Sequence, residues 1–349
     1  MPFPRIAIAF DAAVSADMAA SLALEAEALA AHGPVSVVPV LTPAKKTASK
    51  RPMPKPHVTE AFAARDIPLV TAPYVVTADT ILWHDPGAMR TRLALKTRYV
   101  AKRFVVITDT DFALPNGVPL FDAEECMGVL DAQVLAGERH LIPVSDHNRH
   151  SLMPWHRGAG AEWALSGDTW PLVMERDCLA PIQKPADRRG WIFGPTRQHF
   201  PDRRTLAQLY PAQSAFCGVM AREEFLGAAP PDHWAISRPG GMTETRFLRD
   251  IDFALAFANP NWRGHENHAI ATAIAAGKPV IADPIRAAHF GPGIIAATPD
   301  QVDDIIAGLI ADPERYKAAV ATAQAALARY SKDAFTSRSA PILRAIGAI

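Results

Sequence analysis

Cysteine is scarce in this chain of 349 residues: Cys126, Cys178 and Cys217 are widely spaced and form no CxxC pair. That spacing argues against a disulfide framework or a thiolate zinc site and reads as reduced thiols in a cytoplasmic protein. Surplus charge is lacking too, because 36 Lys and Arg face 36 Asp and Glu. Holding a long stretch of nucleic acid takes an excess of cations, so no nucleic-acid partner is expected. The longest uncharged stretch, residues 205–221, carries Gln208, Pro211, Gln213 and Ser214 and is no membrane span. The apolar run near the N-terminus is too short for a signal peptide and reads as a first strand. No GxSxG, P-loop or GxGxxG motif occurs, so hydrolase, kinase and dehydrogenase readings lack their signatures.

What the chain does have is apolar residues, 49% of the total, which with its length suits two domains with a core each. It has 31 prolines, and ten of them fall at 52–56, 171–185, 195–201 and 230–231, where connections are expected. Residues 5–11 form a strand in this reading. A helix capped by Ser15 and stopped by Gly33 follows, then a strand at 35–40, which is a parallel β-α-β opening. Further strands are expected at 68–71, 80–83, 104–107 and 141–144. Residues 45–57, with Lys45, Lys46, Lys50, Arg51 and Lys55, read as a mobile basic loop. Contact with anionic lipid at the inner membrane face is the role that charge offers, and a solvated loop is the plainer reading.

Residues 163–189 read as an interdomain connection, after which a second alternating series begins. Strands are expected at 191–193, 215–220, 251–258, 278–282 and 293–297, and helices around 202–210, 244–250 and 264–276. Asp300 is expected to cap a helix bearing Val302, Ile305, Ile306 and Leu309 on one face. Tyr316, Val320, Ala323, Leu327 and Tyr330 mark another. The fold class is therefore α/β, with two Rossmann-like domains facing across a cleft.

Two loops in the second half concentrate polar groups. One runs from Gly194 through Arg197, His199, Asp202 and Arg203; the other carries Arg263, Gly264, His265, Glu266 and Asn267 into an Ala-rich helix. In open α/β sheets, ligands lie beyond the carboxyl ends of strands, and a helix start with arginines nearby favours a diphosphate. A metal reading of His265, Glu266, His268 and His289 is weak, because the spacing is HENH and not HExxH. Asp146, His147, Asn148, Arg149 and His150 form a polar run after a strand and read as a loop at the cleft. The Thr108-Asp109-Thr-Asp111 turn is another candidate edge, a weaker one.

The run Phe247-Leu-Arg-Asp-Ile-Asp252-Phe-Ala-Leu-Ala-Phe-Ala258-Asn-Pro-Asn-Trp262 resembles a strand of retaining, family-4-like GT-B glycosyltransferases (glycosyltransferase group 1). Glu266-Asn-His-Ala-Ile-Ala-Thr272-Ala-Ile-Ala-Ala-Gly277-Lys-Pro-Val-Ile281 is similar to the helix and strand that follow it in that family. Gly190 to Gly194 and Phe200-Pro201-Asp202 resemble the start of its donor domain, and Pro143-Val-Ser145 with Asn148-Arg149 a first-domain motif. The likeness is good over roughly residues 185–330 and loose before them. With Gly277 aligned, the family's E-x7-E glutamates fall on Gly264 and Thr272, so that motif is degenerate here.

The resemblance implies an acceptor domain at 1–180, a nucleotide-sugar domain at 181–332, and a final helix, 333–349, returning to the first domain. It implies transfer of a sugar from a nucleoside-diphosphate donor to a glycan or lipid-linked acceptor, in polysaccharide or glycoconjugate biosynthesis. Gly194, Arg197, His199, Arg203, Arg263, Gly264, His265, Asn267 and Thr272 would hold the donor, and Glu266 would contact its sugar. His84, in Trp83-His84-Asp85-Pro86 after a strand, would serve the reacting edge, although Asp-Pro there is also ordinary turn chemistry. No cofactor and no metal is expected, since arginines and a helix start supply the positive charge. The competing readings are an inactive GT-B protein that binds a glycan or a partner, and a sugar-nucleotide epimerase on the same fold.

Overall fold

The computed structural model describes residues 5–12, 14–40, 54–71, 74–84, 97–109, 111–113, 117–193, 200–221, 230–238, 242–259 and 267–349. The chain divides into two compact units. Unit 1 joins Met1–Glu175 to Tyr330–Ile349, and unit 2 is Arg176–Arg329.

Unit 1 holds strands β1 (Ile6–Asp11), β2 (Val35–Val40), β3 (Val75–His84), β4 (Arg98–Thr108), β5 (Val134–Pro143) and β6 (Ala164–Leu165). Its helices are α1 (Ala16–Leu29), α2 (Pro56–Ala63), α3 (Ala123–Asp131) and α4 (Asp146–Arg157). Among the described residues the strands form one parallel sheet in the order β2-β1-β3-β4-β5-β6. Strand β1 is apolar on both faces and buried throughout its first five residues, as a central parallel strand must be. Ser15 opens α1 by accepting a hydrogen bond from the Met18 N–H at 3.2 Å. One face of the sheet packs Ile8, Phe10, Leu82 and Val105 against α1 and α2. The other packs Trp83, Tyr99, Phe104 and Val106 against α3 and α4.

Unit 2 holds β7 (Arg188–Ile192), α5 (Arg203–Leu209), β8 (Phe216–Met220), β9 (Trp234–Ser237), α6 (Glu244–Asp250), β10 (Phe253–Ala256), α7 (Asn267–Ala275) and β11 (Val280–Ala282). It continues with α8 (Pro284–Phe290), β12 (Ile294–Ala296), α9 (Val302–Ala311) and α10 (Pro313–Ala326). Its described strands form a second parallel sheet, β12-β11-β10-β7-β8-β9. Gly190 and Gly218 are register partners on β7 and β8. A Cβ on Gly190 would lie 2.7 Å from the Gly218 carbonyl oxygen and 3.1 Å from the Phe247 ring. The bare glycine surface is what lets α6 lie against the sheet. The last helix, α11 (Lys332–Ala345), belongs to unit 1, where Phe335, Ile342 and Leu343 enter the core beside α1.

Several expectations change. The strand expected at 68–71 is reduced to one parallel bridge, Val37 to Leu69, on the outer side of β2. The polar run 146–150 is not a loop: it forms the first turns of α4, with the Ser145 hydroxyl accepting from the Asn148 N–H at 3.1 Å. Of the expected basic loop, residues 45–53 lie outside the described residues, while Pro56 and His57 begin α2. The connection 163–189 is partly core, since Trp163, Trp170, Val173 and Met174 are buried and the Trp170 N–H donates to the Pro143 carbonyl at 2.8 Å. The helix beginning at Val302 is preceded by a short turn, Pro299–Gln301, with Thr298 and Gln301 making a capping box in place of an Asp300 cap.

Candidate functional site

Strand order locates the candidate site in unit 2. Counted from β7, the sheet runs 6-5-4-1-2-3, the doubly wound nucleotide-binding order, and the direction of winding reverses between β7 and β10. Chain leaving the carboxyl ends of these two neighbours opens a crevice, because successive helices depart to opposite faces. In sequence, the two polar runs singled out above come next after these strands, 194–199 after β7 and 260–266 after β10. The Phe193 and Phe200 rings stack with centroids 4.4 Å apart and planes 20° from parallel. The Phe193 N–H also donates to the Met220 carbonyl at 2.9 Å.

Gly194, Arg197, His199, Arg263, Gly264, His265 and Glu266 lie outside the described residues. Arg203 is the first residue of α5 and is exposed. The start of that helix is already capped by Asp202, whose carboxylate accepts from the Thr205 N–H at 3.0 Å and hydroxyl at 2.8 Å. These bonds hold the Asp202 carboxyl below its ordinary value. Asn267 begins α7, directly after the second loop. Thr272 lies further along α7 and spends its hydroxyl on the His268 carbonyl of its own helix, at 2.8 Å.

His84 belongs to unit 1. It ends β3, beside the end of β1, where the winding of the first sheet reverses. The side chain is buried, with Nε2 2.8 Å from Oε1 of Glu25 on α1. The other Glu25 oxygen accepts from Trp170 Nε1 at 3.3 Å. His84 is thereby held by a carboxylate that is itself fixed, an arrangement that sets tautomer and ring orientation. Among the described residues, no group of three His, Cys, Asp or Glu side chains is placed to hold a metal.

No protein-family model and no curated protein matches the sequence. Solved structures do match in fold. HepE from Anabaena, solved in complex with UDP and glucose, gives a TM-score of 0.60 at 12% identity over 97% of this chain and 99% of its own. Sucrose-phosphate synthase from Thermosynechococcus elongatus gives 0.54 at 14% identity over 99% of both chains. The T4 phage BGT, in complex with its UDP-glucose substrate, gives 0.55 at 11% identity over 98% of this chain and 99% of its own.

This chain has a GT-B fold. Its similar structures are GT-B glycosyltransferases. Within this GT-B chain, the sequence reading missed Glu25 and Trp170, and it named Asp111, His147 and Asn148 without bringing them together. Glu25 and Trp170 complete the surroundings of His84, and Asp111 joins His147 and Asn148 beyond the end of β4. Glu25 did leave a signal: it lies three residues after Leu22 and four before Leu29, on the apolar stripe of α1, where a carboxylate needs a partner. Trp170 left none, because its approach depends on how the connection after β6 folds back.

Proposed function

We propose that this protein is a glycosyltransferase that moves a sugar from a nucleoside-diphosphate donor to a glycan or lipid-linked acceptor. The observation that carries the reading is the switch point of unit 2, between β7 and β10: the sequence segments 194–199 and 260–266, with Arg197, His199 and Arg263, come after these two adjacent strands in the chain. Arg197, His199, Arg203, Arg263, Gly264 and His265, with Asn267 at the start of α7, would hold the diphosphate. Glu266 would contact the sugar and His84 would serve the reacting edge. Cations and a helix start stabilise the charge gained by the departing diphosphate, and the scheme uses no metal. Biosynthesis of a polysaccharide or glycoconjugate in the cytoplasm, with the basic 45–55 segment against anionic lipid, fits this chemistry. Among the described residues, no helix is long and apolar enough to cross a membrane.

Thermal unfolding with UDP, GDP and their sugars tests the proposal. A nucleotide at a hundred times its dissociation constant stabilises by about 2.7 kcal/mol. The response should disappear in Arg197→Ala, and silence from every nucleotide would overturn the reading. One observation favours a non-catalytic glycan-binding protein instead. The two positions of the E-x7-E motif hold Gly264 and Thr272, and the Thr272 hydroxyl is committed to its own helix. Glycan binding without a response to any nucleotide would select that alternative.

A further inference from the structure

Unit 1 contains a pocket of about 580 Å³. Phe112, Phe121, Ser151, Pro154 and Trp155 line it, with Asp122 and Glu124 among the rest of its lining. The volume falls within the range of small-molecule sites, about 300–1,000 Å³. Three of its walls are aromatic and packed on one another: the Phe112 centroid lies 5.1 Å from Phe121 and 5.5 Å from Trp155. The backbone is fixed as well, since the Phe112 N–H donates to the Ser151 hydroxyl at 3.1 Å, and that hydroxyl donates to the Asn148 carbonyl at 2.8 Å. Asp122 and Glu124 are exposed, and among the described residues the pocket lining includes no cation.

A polar centre stands next to these walls. Buried Asp111 precedes Phe112 and accepts from Asn148 Nδ2 at 2.7 Å and from His147 Nε2 at 3.0 Å. His147, Ser151 and Trp155 follow one another at four-residue spacing along α4, so the imidazole lies on the helix face that lines the pocket. With Nε2 committed to Asp111, its remaining capacity for a hydrogen bond is at Nδ1.

We propose that this pocket is a saccharide site that takes an uncharged pyranose ring. A pyranose has an apolar C–H face and a rim of hydroxyls, which matches aromatic walls edged by hydroxyl-accepting carboxylates. Two carboxylates without a cation disfavour a phosphorylated sugar or a lipid diphosphate at this point. Identifying the ring as part of the acceptor rests on the glycosyltransferase reading; its binding does not.

The test is saturation-transfer NMR on the full chain with methyl glycosides of glucose, galactose, mannose and N-acetylglucosamine, beside glucose 1-phosphate. At least one neutral glycoside should bind, more tightly than the phosphate, and lose fivefold or more in affinity in Trp155→Ala and in Glu124→Ala. Glu124 is exposed, so its variant decides the matter if Trp155→Ala fails to fold. No glycoside binding, binding indifferent to Glu124→Ala, or preference for the phosphorylated sugar would overturn the proposal. Nucleotide stabilisation measured on the same samples separates the two readings. Glycoside binding without any nucleotide response leaves the site and removes the transferase; a nucleotide response without glycoside binding does the reverse.

Discussion

Glu25 and His84 are a buried acid and base whose partners are few and named. Replacing Glu25 by leucine keeps the side chain's bulk but leaves His84 Nε2 and Trp170 Nε1 without their acceptor. A buried polar group stripped of its partner costs about 1–3 kcal/mol. Glu25→Leu should therefore lower the urea midpoint of unfolding. Glu25→Leu with His84→Phe should recover part of the loss, because both ends of the bond are then apolar. A double variant no more stable than Glu25→Leu alone would show that the bond adds nothing. Gly277 explains at the same scale why its motif was readable. Its φ is 75°, and a Cβ there would lie 2.8 Å from the Ala180 carbonyl oxygen, so only glycine fits.

Among the elements, Arg189 and Lys278 show how unit 2 handles buried charge. Arg189 on β7 bonds both Asp187 oxygens at 2.8 and 2.9 Å, Asp303 of α9 at 2.8 Å and the Leu209 carbonyl at 3.0 Å. Burial works against its charge, and the bonds to Asp187 and Asp303 more than offset that, so its pKa is raised. Lys278, between α7 and β11, is buried and makes no such bond among the described residues. Burial pushes its ammonium from 10.5 down to about 8, against the opposing pull of Asp252. Between those values the unfolded chain binds more protons than the folded one, so stability contributed by this group rises as pH climbs from about 8 to 10.5. The difference in unfolding free energy between wild type and Lys278→Met should shift in favour of wild type from pH 7.5 to 9.5. A difference that stays flat would refute the shift. The elements also show what a sequence exposes and what it hides. Strands β3, β4 and β5 were anticipated only at their carboxyl ends, where the residues are continuously apolar; their first halves alternate with Thr77, Asp79, Lys102 and Glu138. Strand β9 escaped because it is four residues long at the sheet edge, and α3 because its first turn is acidic. Residues 194–199 and 260–266 were legible as clusters of polar residues after strands, but the adjacency of β7 and β10 is a property of strand order, which no local pattern carries.

For the whole molecule, the last helix matters more than its length suggests. Besides Phe335, Ile342 and Leu343 in the core, Lys332 Nζ bonds Glu27 Oε1 on α1 at 2.6 Å, and Arg5 Nε bonds the Ala348 carbonyl at 3.3 Å. The hydrogen bond holds the Glu27 carboxyl below its ordinary value, with a small effect because both side chains are more than a third exposed. Burial of the apolar side chains is the larger contribution, about 2–5 kcal/mol for each large one removed. Deleting residues 331–349 should split thermal unfolding into two transitions, with unit 1 melting first and limited proteolysis leaving a fragment near 176–329. One unchanged transition would contradict this. The Met174 N–H donates to the Tyr330 carbonyl at 2.7 Å, fastening the two places where the chain leaves and re-enters unit 1. During synthesis, the inserted unit emerges complete while unit 1 still lacks α11. Once residues 176–329 have collapsed, the two ends they hold are neighbours, and the entropy of closing that long loop has already been spent. Unit 2 is thus also the device that brings the final helix to the one waiting for it.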